Sequence, residues 1–330
     1  MLFATNRTPK ESARSRKGRK ISFPPQKTRT SLDMYFCQRL GEHDYREIGS
    51  PAFFQYLKNL PNTMQVLLYI HGFNNTPEPD IFPNALRLQQ LINQQYGDEF
   101  ALVVPLIWPC DDDAFYAFID DYWDDQRAAD ASGLAFARML AKFDNWRTQE
   151  ASKENPCTRR INILAHSMGN RVLRNAIAAW GKYDHCGQVP KLFRNIFMVA
   201  ADVVNHCLEP SNNGVLIPQS ARNVVVYFAN DDLAMPASKL SNLRHRTVSA
   251  RLGMTGPEDL TKVAKNVYEV DCDSFNNRFD MPKGHSYFLN NQAQVSPALV
   301  HMLSAMIDGR VKPAKRSHIL AYPLESSEDF

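Results

Sequence analysis

The chain has 330 residues, of which 44% are hydrophobic and 22% charged, a composition typical of globular proteins that excludes a disordered or fibrous chain. The formal net charge of +3 conceals an asymmetry, because residues 1–30 carry nine Lys and Arg against one Glu. No run approaches the roughly 20 apolar residues of a membrane helix. Six scattered cysteines without a C-x-x-C pair argue against a zinc site or a disulfide framework. We expect one soluble cytoplasmic domain over residues 1–310 and a mobile tail over 311–330.

Two segments have unusual composition. The basic residues of the amino-terminal region predict an exposed loop over residues 8–30, with contact to an anionic surface or nucleic acid as the alternative. Residues 111–125 contain seven Asp and five aromatic residues, which fits a lid or substrate wall, or a solvated helix that docks its aromatic side chains on the domain. No EF-hand spacing is present, so no metal is expected.

Apolar runs typical of strands alternate along the chain with amphipathic segments typical of helices. The strand candidates are residues 2–5, 65–71, 101–108, 161–166, 195–201, 223–229 and 266–271. Helix signals include a capping serine at Ser132, an apolar stripe that stops at Gly181, and a capped helix between Ser296 and Gly309. Alternation of nearly continuous apolar strands with helices predicts an α/β domain with a doubly wound, mostly parallel sheet and helices on both faces.

The strongest chemical signal is the run Ala165-His166-Ser167-Met168-Gly169, which follows a strand candidate and precedes a helix candidate. A serine between small residues on such a turn has its hydroxyl exposed above the sheet, as a nucleophile requires. Ala165 stands where the common pattern has glycine, and a methyl group is tolerated there. Ser167 is therefore the candidate nucleophile.

A second signal is Ile70-His71-Gly72-Phe73-Asn74, at the end of the first long strand candidate. In an esterase-type site, the oxyanion is held by the backbone N–H of the residue after the nucleophile and by another from the loop after an earlier strand. Met168 is predicted to supply the first N–H group and Phe73 the second.

A catalytic serine needs a histidine to take its proton and a carboxylate to orient that histidine. In hydrolases with this turn, the acid follows the serine and the histidine follows the acid. Asp231 and Asp232 end the strand candidate at 223–229, and Asp202 after the preceding strand is a third candidate. His285, in a loop between the last strand candidate and the capped helix, is the predicted base.

Taken together, these motifs resemble those of the α/β hydrolases. More narrowly, the chain resembles a bacterial α/β-hydrolase family of unknown function whose members are described as esterase-like. The residues that carry the resemblance are LFATNR (2–7), IHGFN (70–74), WP (108–109), AHSMGN (165–170), AAD (200–202), residues 227–235 and GHSY (284–287). The resemblance implies the α/β-hydrolase fold and a Ser-Asp-His site. Family members tend to have Asp followed by x-Ala-Leu after the penultimate strand, which favours Asp232 in Asp232-Leu233-Ala234-Met235.

These observations predict a serine hydrolase that cleaves a carboxylic ester, or alternatively a thioester or amide, in a small-molecule substrate. The acyl-enzyme would form on Ser167, with His285 as base and Asp232 as orienting acid, and no cofactor is needed. Two alternatives stay open at this point: an acyltransferase that uses the same triad, and a non-catalytic binding or scaffold protein that kept the fold.

Overall fold

The computed structural model describes residues 1–24, 30–110, 118–151, 153–234, 250–289 and 294–321. Over these residues, eleven strands form one sheet in the order β11-β10-β9-β8-β7-β5-β6-β1-β3-β4-β2. The strands are β1 (Leu2–Arg7), β2 (Lys20–Ile21), β3 (Thr30–Gly41), β4 (Asp44–Glu47), β5 (Gln65–Ile70), β6 (Ala101–Ile107), β7 (Ile161–His166), β8 (Phe193–Val199), β9 (Ala221–Phe228), β10 (Val267–Asp271) and β11 (Ser317–Ile319). Neighbours from β11 to β1 pair in parallel, whereas β1–β3, β3–β4 and β4–β2 pair antiparallel.

Helices cover both faces of this sheet. They are α1 (Gly49–Lys58), a π-turn (Pro77–Ile81), α2 (Phe82–Tyr96), α3 (Phe118–Ala151), α4 (Gly169–Asp184), α5 (Ile217–Ser220), α6 (Leu252–Thr255), α7 (Asn276–Phe279) and α8 (Pro297–Asp308). Alternate residues of a strand point to opposite faces, so Val66 and Leu68 of β5 join the core under α3 and α4, while Leu67 and Tyr69 join the core under α2 and α8. The mostly parallel, doubly wound sheet predicted from the sequence is confirmed.

The chain order of the strands reverses between β5 and β7. The chain passes from β5 outward to β6, then returns past β5 to β7 and continues in the other direction through β8, β9 and β10. Ligands of open α/β sheets bind at the carboxyl ends of the strands at such a switch point. The loops after β5 and β7 therefore meet where a ligand site is expected.

A ladder of side-chain amides fixes the register of four neighbouring strands near their amino ends. Asn223 donates to Asn195 at 2.8 Å, Asn195 donates to Asn162 at 2.8 Å, and Asn162 donates to the Gln65 side-chain oxygen at 3.1 Å. All four residues are buried, and buried amides are expensive to leave unpaired. Because the register is fixed at the amino ends, the carboxyl ends of β5, β7, β8 and β9 are aligned as well.

The structure differs from the sequence predictions at both ends of the chain. Residues 317–319 form β11 beside β10, although a tail was predicted from residue 311. The basic segment predicted as a loop over 8–30 is exposed over residues 10–18, but Lys20–Ile21 pairs with β4 as β2. Arg19 also donates to the buried carboxylate of Glu47 at 2.7 Å. The contact of this segment with an anionic partner stays a prediction.

Two predicted helix boundaries are wrong. Ser132 does not cap a helix but lies inside α3, where its hydroxyl accepts a hydrogen bond from Asn6 at 2.9 Å. The helix predicted to stop at Gly181 continues to Asp184.

Of the predicted lid, residues 111–117 lie outside the described residues and 118–125 belong to α3. Among the described helices, none is long and apolar enough to span a bilayer.

Candidate active site

Ser167 lies on a sharp turn between β7 and α4, as the sequence motif predicts. Its φ of 52° is in the left-handed region, which is unfavourable for a residue with a side chain. Three backbone hydrogen bonds stabilise this conformation: Ser167 donates to the Val199 carbonyl at 3.0 Å, and its own carbonyl accepts from Asn170 at 3.1 Å and Asp202 at 3.2 Å. The end of β8 and the first turn of α4 therefore hold the backbone of the serine in place.

The residues around Ser167 must be small because the loop after β5 packs directly against the turn. A Cβ atom on Gly169 would lie 2.5 Å from the carbonyl oxygen of His71, and a Cβ on Gly72 would lie 3.0 Å from the Cβ of Ser167. The methyl group of Ala165 fits in the core below the turn, where it is fully buried. The structure thus explains why alanine is tolerated two residues before the serine, whereas glycine is needed two residues after it.

The predicted oxyanion loop over residues 71–75 is held by side chains that follow β6. The ring of His71 stacks on Trp108 with centroids 5.1 Å apart, and the Trp108 indole donates to the His71 carbonyl at 2.9 Å. The Cys110 thiol donates to the Asn75 carbonyl at 2.9 Å. Asn74 has a φ of 54°, so the chain turns sharply directly after Phe73. Met168 lies at the start of α4, where N–H groups have no acceptor within the helix.

His71 is a neutral imidazole in this arrangement. Its Nε2 accepts from the Trp108 backbone at 3.2 Å, so Nδ1 carries the proton and donates to the Gly72 carbonyl at 2.9 Å. Burial lowers the pKa of His71 to about 3. The side chain therefore supports the structure of the loop.

The predicted acid and base lie on the loops after β9 and β10. His285 Nδ1 donates to the Asp232 carboxylate at 2.6 Å, and the Asp232 side chain is completely buried. The other carboxylate oxygen of Asp232 accepts from the Ala234 backbone at 2.9 Å. The His285 ring lies beside the Ser167 turn, with its centroid 4.7 Å from that of His166. The structure therefore brings Asp232, His285 and the Ser167 turn together.

The two other candidate acids have different partners. Asp202 lies 3.3 Å from Arg251 in a buried ion pair. Asp231 accepts hydrogen bonds from the side chains of Asn276, at 2.6 Å, and Asn277. Of the three aspartates, Asp232 is the one in hydrogen-bonding contact with His285.

Comparison with known proteins supports the fold independently. A family model described as an alpha/beta hydrolase of unknown function (DUF900) matches residues 52–303. The chain belongs to this family. The DUF900 match begins in α1 and ends in α8, so it includes the Ser167 turn, the predicted oxyanion loop and the loops that carry Asp232 and His285. No curated protein matches the chain.

Sequence reasoning missed the residues that shape the base loop of this DUF900 protein, defined here as residues 280–288. The Asp280 carboxylate accepts from the backbone N–H groups of His285 at 2.8 Å and Ser286 at 2.7 Å. The buried hydroxyl of Tyr287 accepts from the Ala200 backbone at 3.3 Å, which fastens the loop to the end of β8. Two sequence features could have identified this loop. They are Asp280, five residues before His285, and Gly284, directly before it.

Within the described ranges, no group of three or more His, Cys, Asp or Glu side chains is arranged to hold a metal ion. All six cysteines are free thiols, and five of them are buried. Burial raises the pKa of Cys110 well above its ordinary value, so this thiol is protonated where it supports the oxyanion loop.

We expect the stability of this protein to fall markedly between pH 7 and pH 5. Burial lowers the pKa of His71 to about 3, and burial together with His318 lowers that of His301 to about 4. A histidine in the unfolded chain has a pKa near 6.5. Below that pH the unfolded chain therefore binds protons that the folded chain does not bind, which favours unfolding. Each histidine should cost about 2 kcal/mol of unfolding free energy by pH 5. Urea unfolding at several pH values measures this loss.

Two variants distinguish the effect of the buried histidines on the unfolding free energy from the general effect of acid. His301→Gln cannot take up a proton, so its unfolding free energy should depend less steeply on pH. Changing the exposed His43, in the β3–β4 turn, to Gln should leave the slope unchanged. Equal urea midpoints for the wild type at pH 7 and pH 5 would contradict the expectation.

Proposed function

We propose that this protein is a serine hydrolase that cleaves a carboxylic ester in a small-molecule substrate. Ser167 is the nucleophile, His285 the general base and Asp232 the acid that orients the base. The backbone N–H groups of Phe73 and Met168 form the oxyanion hole. The observation that carries the proposal is the 2.6 Å hydrogen bond from His285 to the buried Asp232 carboxylate, formed beside a strained serine turn.

The hydrogen-bond pattern supports the assignment of roles. Because Nδ1 of His285 donates to Asp232, the lone pair of a neutral imidazole is on Nε2, where it can accept the hydroxyl proton of Ser167. The buried aspartate stabilises the imidazolium that forms. The same orientation later allows Nε2 to return a proton to the leaving alcohol.

The reaction then proceeds in two steps, and in each step His285 accepts a proton and returns it to the leaving group. Ser167 Oγ attacks the ester carbonyl while its proton moves to His285, and the oxyanion is stabilised by two backbone N–H groups. The tetrahedral species expels the alcohol, which takes the proton from His285 and leaves an acyl group on Ser167. Water attacks the acyl-enzyme with His285 again as base, releasing the carboxylic acid.

Labelling with a fluorophosphonate probe tests this proposal directly. The probe phosphonylates only activated serine nucleophiles, so we expect a stoichiometric adduct on the peptide that contains Ser167. Hydrolysis of p-nitrophenyl esters of increasing chain length would define the acyl group. A folded protein that gives neither adduct nor hydrolysis would instead support a non-catalytic binding protein.

The cellular location is part of the proposal. We propose that the protein acts in the cytoplasm, because its six cysteines are all free thiols. A secreted protein with this number of cysteines would be expected to form disulfides.

A further inference from the structure

The imidazole of His166 contacts both the base loop and the oxyanion loop. Its Nε2 lies 3.3 Å from the backbone carbonyl oxygen of His285. Its ring centroid lies 4.7 Å from that of His285 and 5.1 Å from that of Phe288. Its Nδ1 faces Gly72 of the oxyanion loop so closely that a Cβ atom on this glycine would lie 3.1 Å away. The side chain is buried, with 6% of its surface exposed.

The contact with His285 fixes the protonation of His166. A carbonyl oxygen only accepts, so Nε2 of His166 must carry the proton and donate it. Burial lowers the pKa of His166 well below its ordinary value, and the neighbouring His285 lowers it further. A neutral His166 places no second positive charge beside His285 when the base becomes an imidazolium.

The base needs such an external support because it lies on a loop. Its backbone N–H is held by Asp280 from within the base loop. The hydrogen bond from His166 to its carbonyl instead comes from β7, which is a central strand of the sheet. Catalytic groups on loops must be positioned by a rigid scaffold.

We infer that His166 is a positioning residue for the base: it donates from β7 to the backbone of His285 and its ring fills the space between the serine turn, the oxyanion loop and the base loop. This inference rests on the proposed function, since it assigns a role within that catalytic site. The lone pair of the neutral His166 ring is on Nδ1, which faces Gly72 of the oxyanion loop.

Two substitutions separate the hydrogen bond from the packing. His166→Phe keeps a ring of similar shape but has no donor, whereas His166→Gln places an amide N–H about where Nε2 stands. Misplacing a catalytic group by about 1 Å costs on the order of 100-fold in rate. We therefore expect His166→Phe to lower kcat by about 10- to 100-fold with little change in KM, and His166→Gln to recover most of the loss. His43→Phe, in the exposed β3–β4 turn, serves as the control and should retain wild-type kinetics.

A proton NMR measurement tests the same inference without turnover. The Nδ1 proton of His285, in its 2.6 Å bond to Asp232, should give a far-downfield resonance. It should shift or broaden in His166→Phe and return in His166→Gln, and it can be observed even if no ester is cleaved. A folded His166→Phe protein with wild-type kcat and an unchanged resonance would overturn the inference, as would equal defects in both variants. Failure of fluorophosphonate labelling in the wild type would instead refute the proposed hydrolase function.

Discussion

Replacing Ser167 with alanine is expected to abolish the fluorophosphonate adduct and to lower ester hydrolysis by roughly 10⁶-fold, the usual cost of deleting a serine nucleophile. The substitution removes only the hydroxyl group. The hydrogen bonds that hold the turn involve the backbone of Ser167 and are therefore kept. Alanine also adopts this backbone conformation elsewhere in the same protein, since Ala200 has a φ of 43°. The variant should consequently fold with nearly wild-type stability.

A matched control comes from another serine with a left-handed backbone. Ser211 has a φ of 70° and is exposed, so Ser211→Ala makes the same chemical change at a comparable conformation away from the candidate triad. It should label and hydrolyse as the wild type does. Full labelling of folded Ser167→Ala would mean that another residue reacts with the probe and that the assigned nucleophile is wrong.

Changing Asp232 to asparagine should lower kcat by about 10⁴-fold while leaving the fold intact. An amide of the same shape can turn its NH₂ group toward His285 and favours the tautomer that cannot accept the serine proton. The carboxylate has no exposed surface, so solvent offers no substitute. Steady-state kinetics on a p-nitrophenyl ester, with a thermal unfolding curve for each variant, measure the effect.

Matched changes at the other two aspartates test the choice of acid. Asp231→Asn alters a group that binds Asn276 and Asn277, so its effect on kcat should be small. Asp202→Asn removes one charge of a buried ion pair with Arg251 and should cost about 3–5 kcal/mol of stability. A folded Asp202→Asn protein that is inactive, beside an active Asp232→Asn protein, would transfer the role of acid to Asp202.

The sequence predicted the parallel part of the sheet well because its strands are covered on both faces. Residues 65–70 and 161–166 are apolar almost throughout, and this pattern places both strands within one residue of their observed bounds. The antiparallel edge was missed beyond β1. β3 has exposed residues near its start and near its end, and its buried residues are confined to the middle, so it lacks a long apolar run.

The error at Ser132 has a specific physical cause. A serine followed by glycine suggests a helix boundary, but Gly133 lies inside α3 at its crossing with α4. A Cβ atom there would lie 2.5 Å from the Cβ of Asn175. The glycine permits close approach of two helices, a requirement that depends on the partner helix and leaves no local pattern in the sequence.

Within the site, local motifs predicted the turn around Ser167 but left three aspartates open, and the family resemblance favoured Asp232. That choice depends on which carboxylate faces His285, and so on the packing of loops that are distant in sequence. The supports at Asp280 and Tyr287 were missed for the same reason. Their partners are backbone groups, which have no sequence signature.

The hydrogen bonds that assemble the site connect distant parts of the chain, and this has a consequence for folding. His166 and His285 are 119 residues apart, and Asp232 and His285 are 53 apart. Contacts between distant residues carry a loop-closure cost and form slowly. The Ser167 turn can therefore form with the central strands before the base loop docks on it. We expect Ser167 to become reactive only in the last stage of folding, so a partly folded chain would lack an active serine.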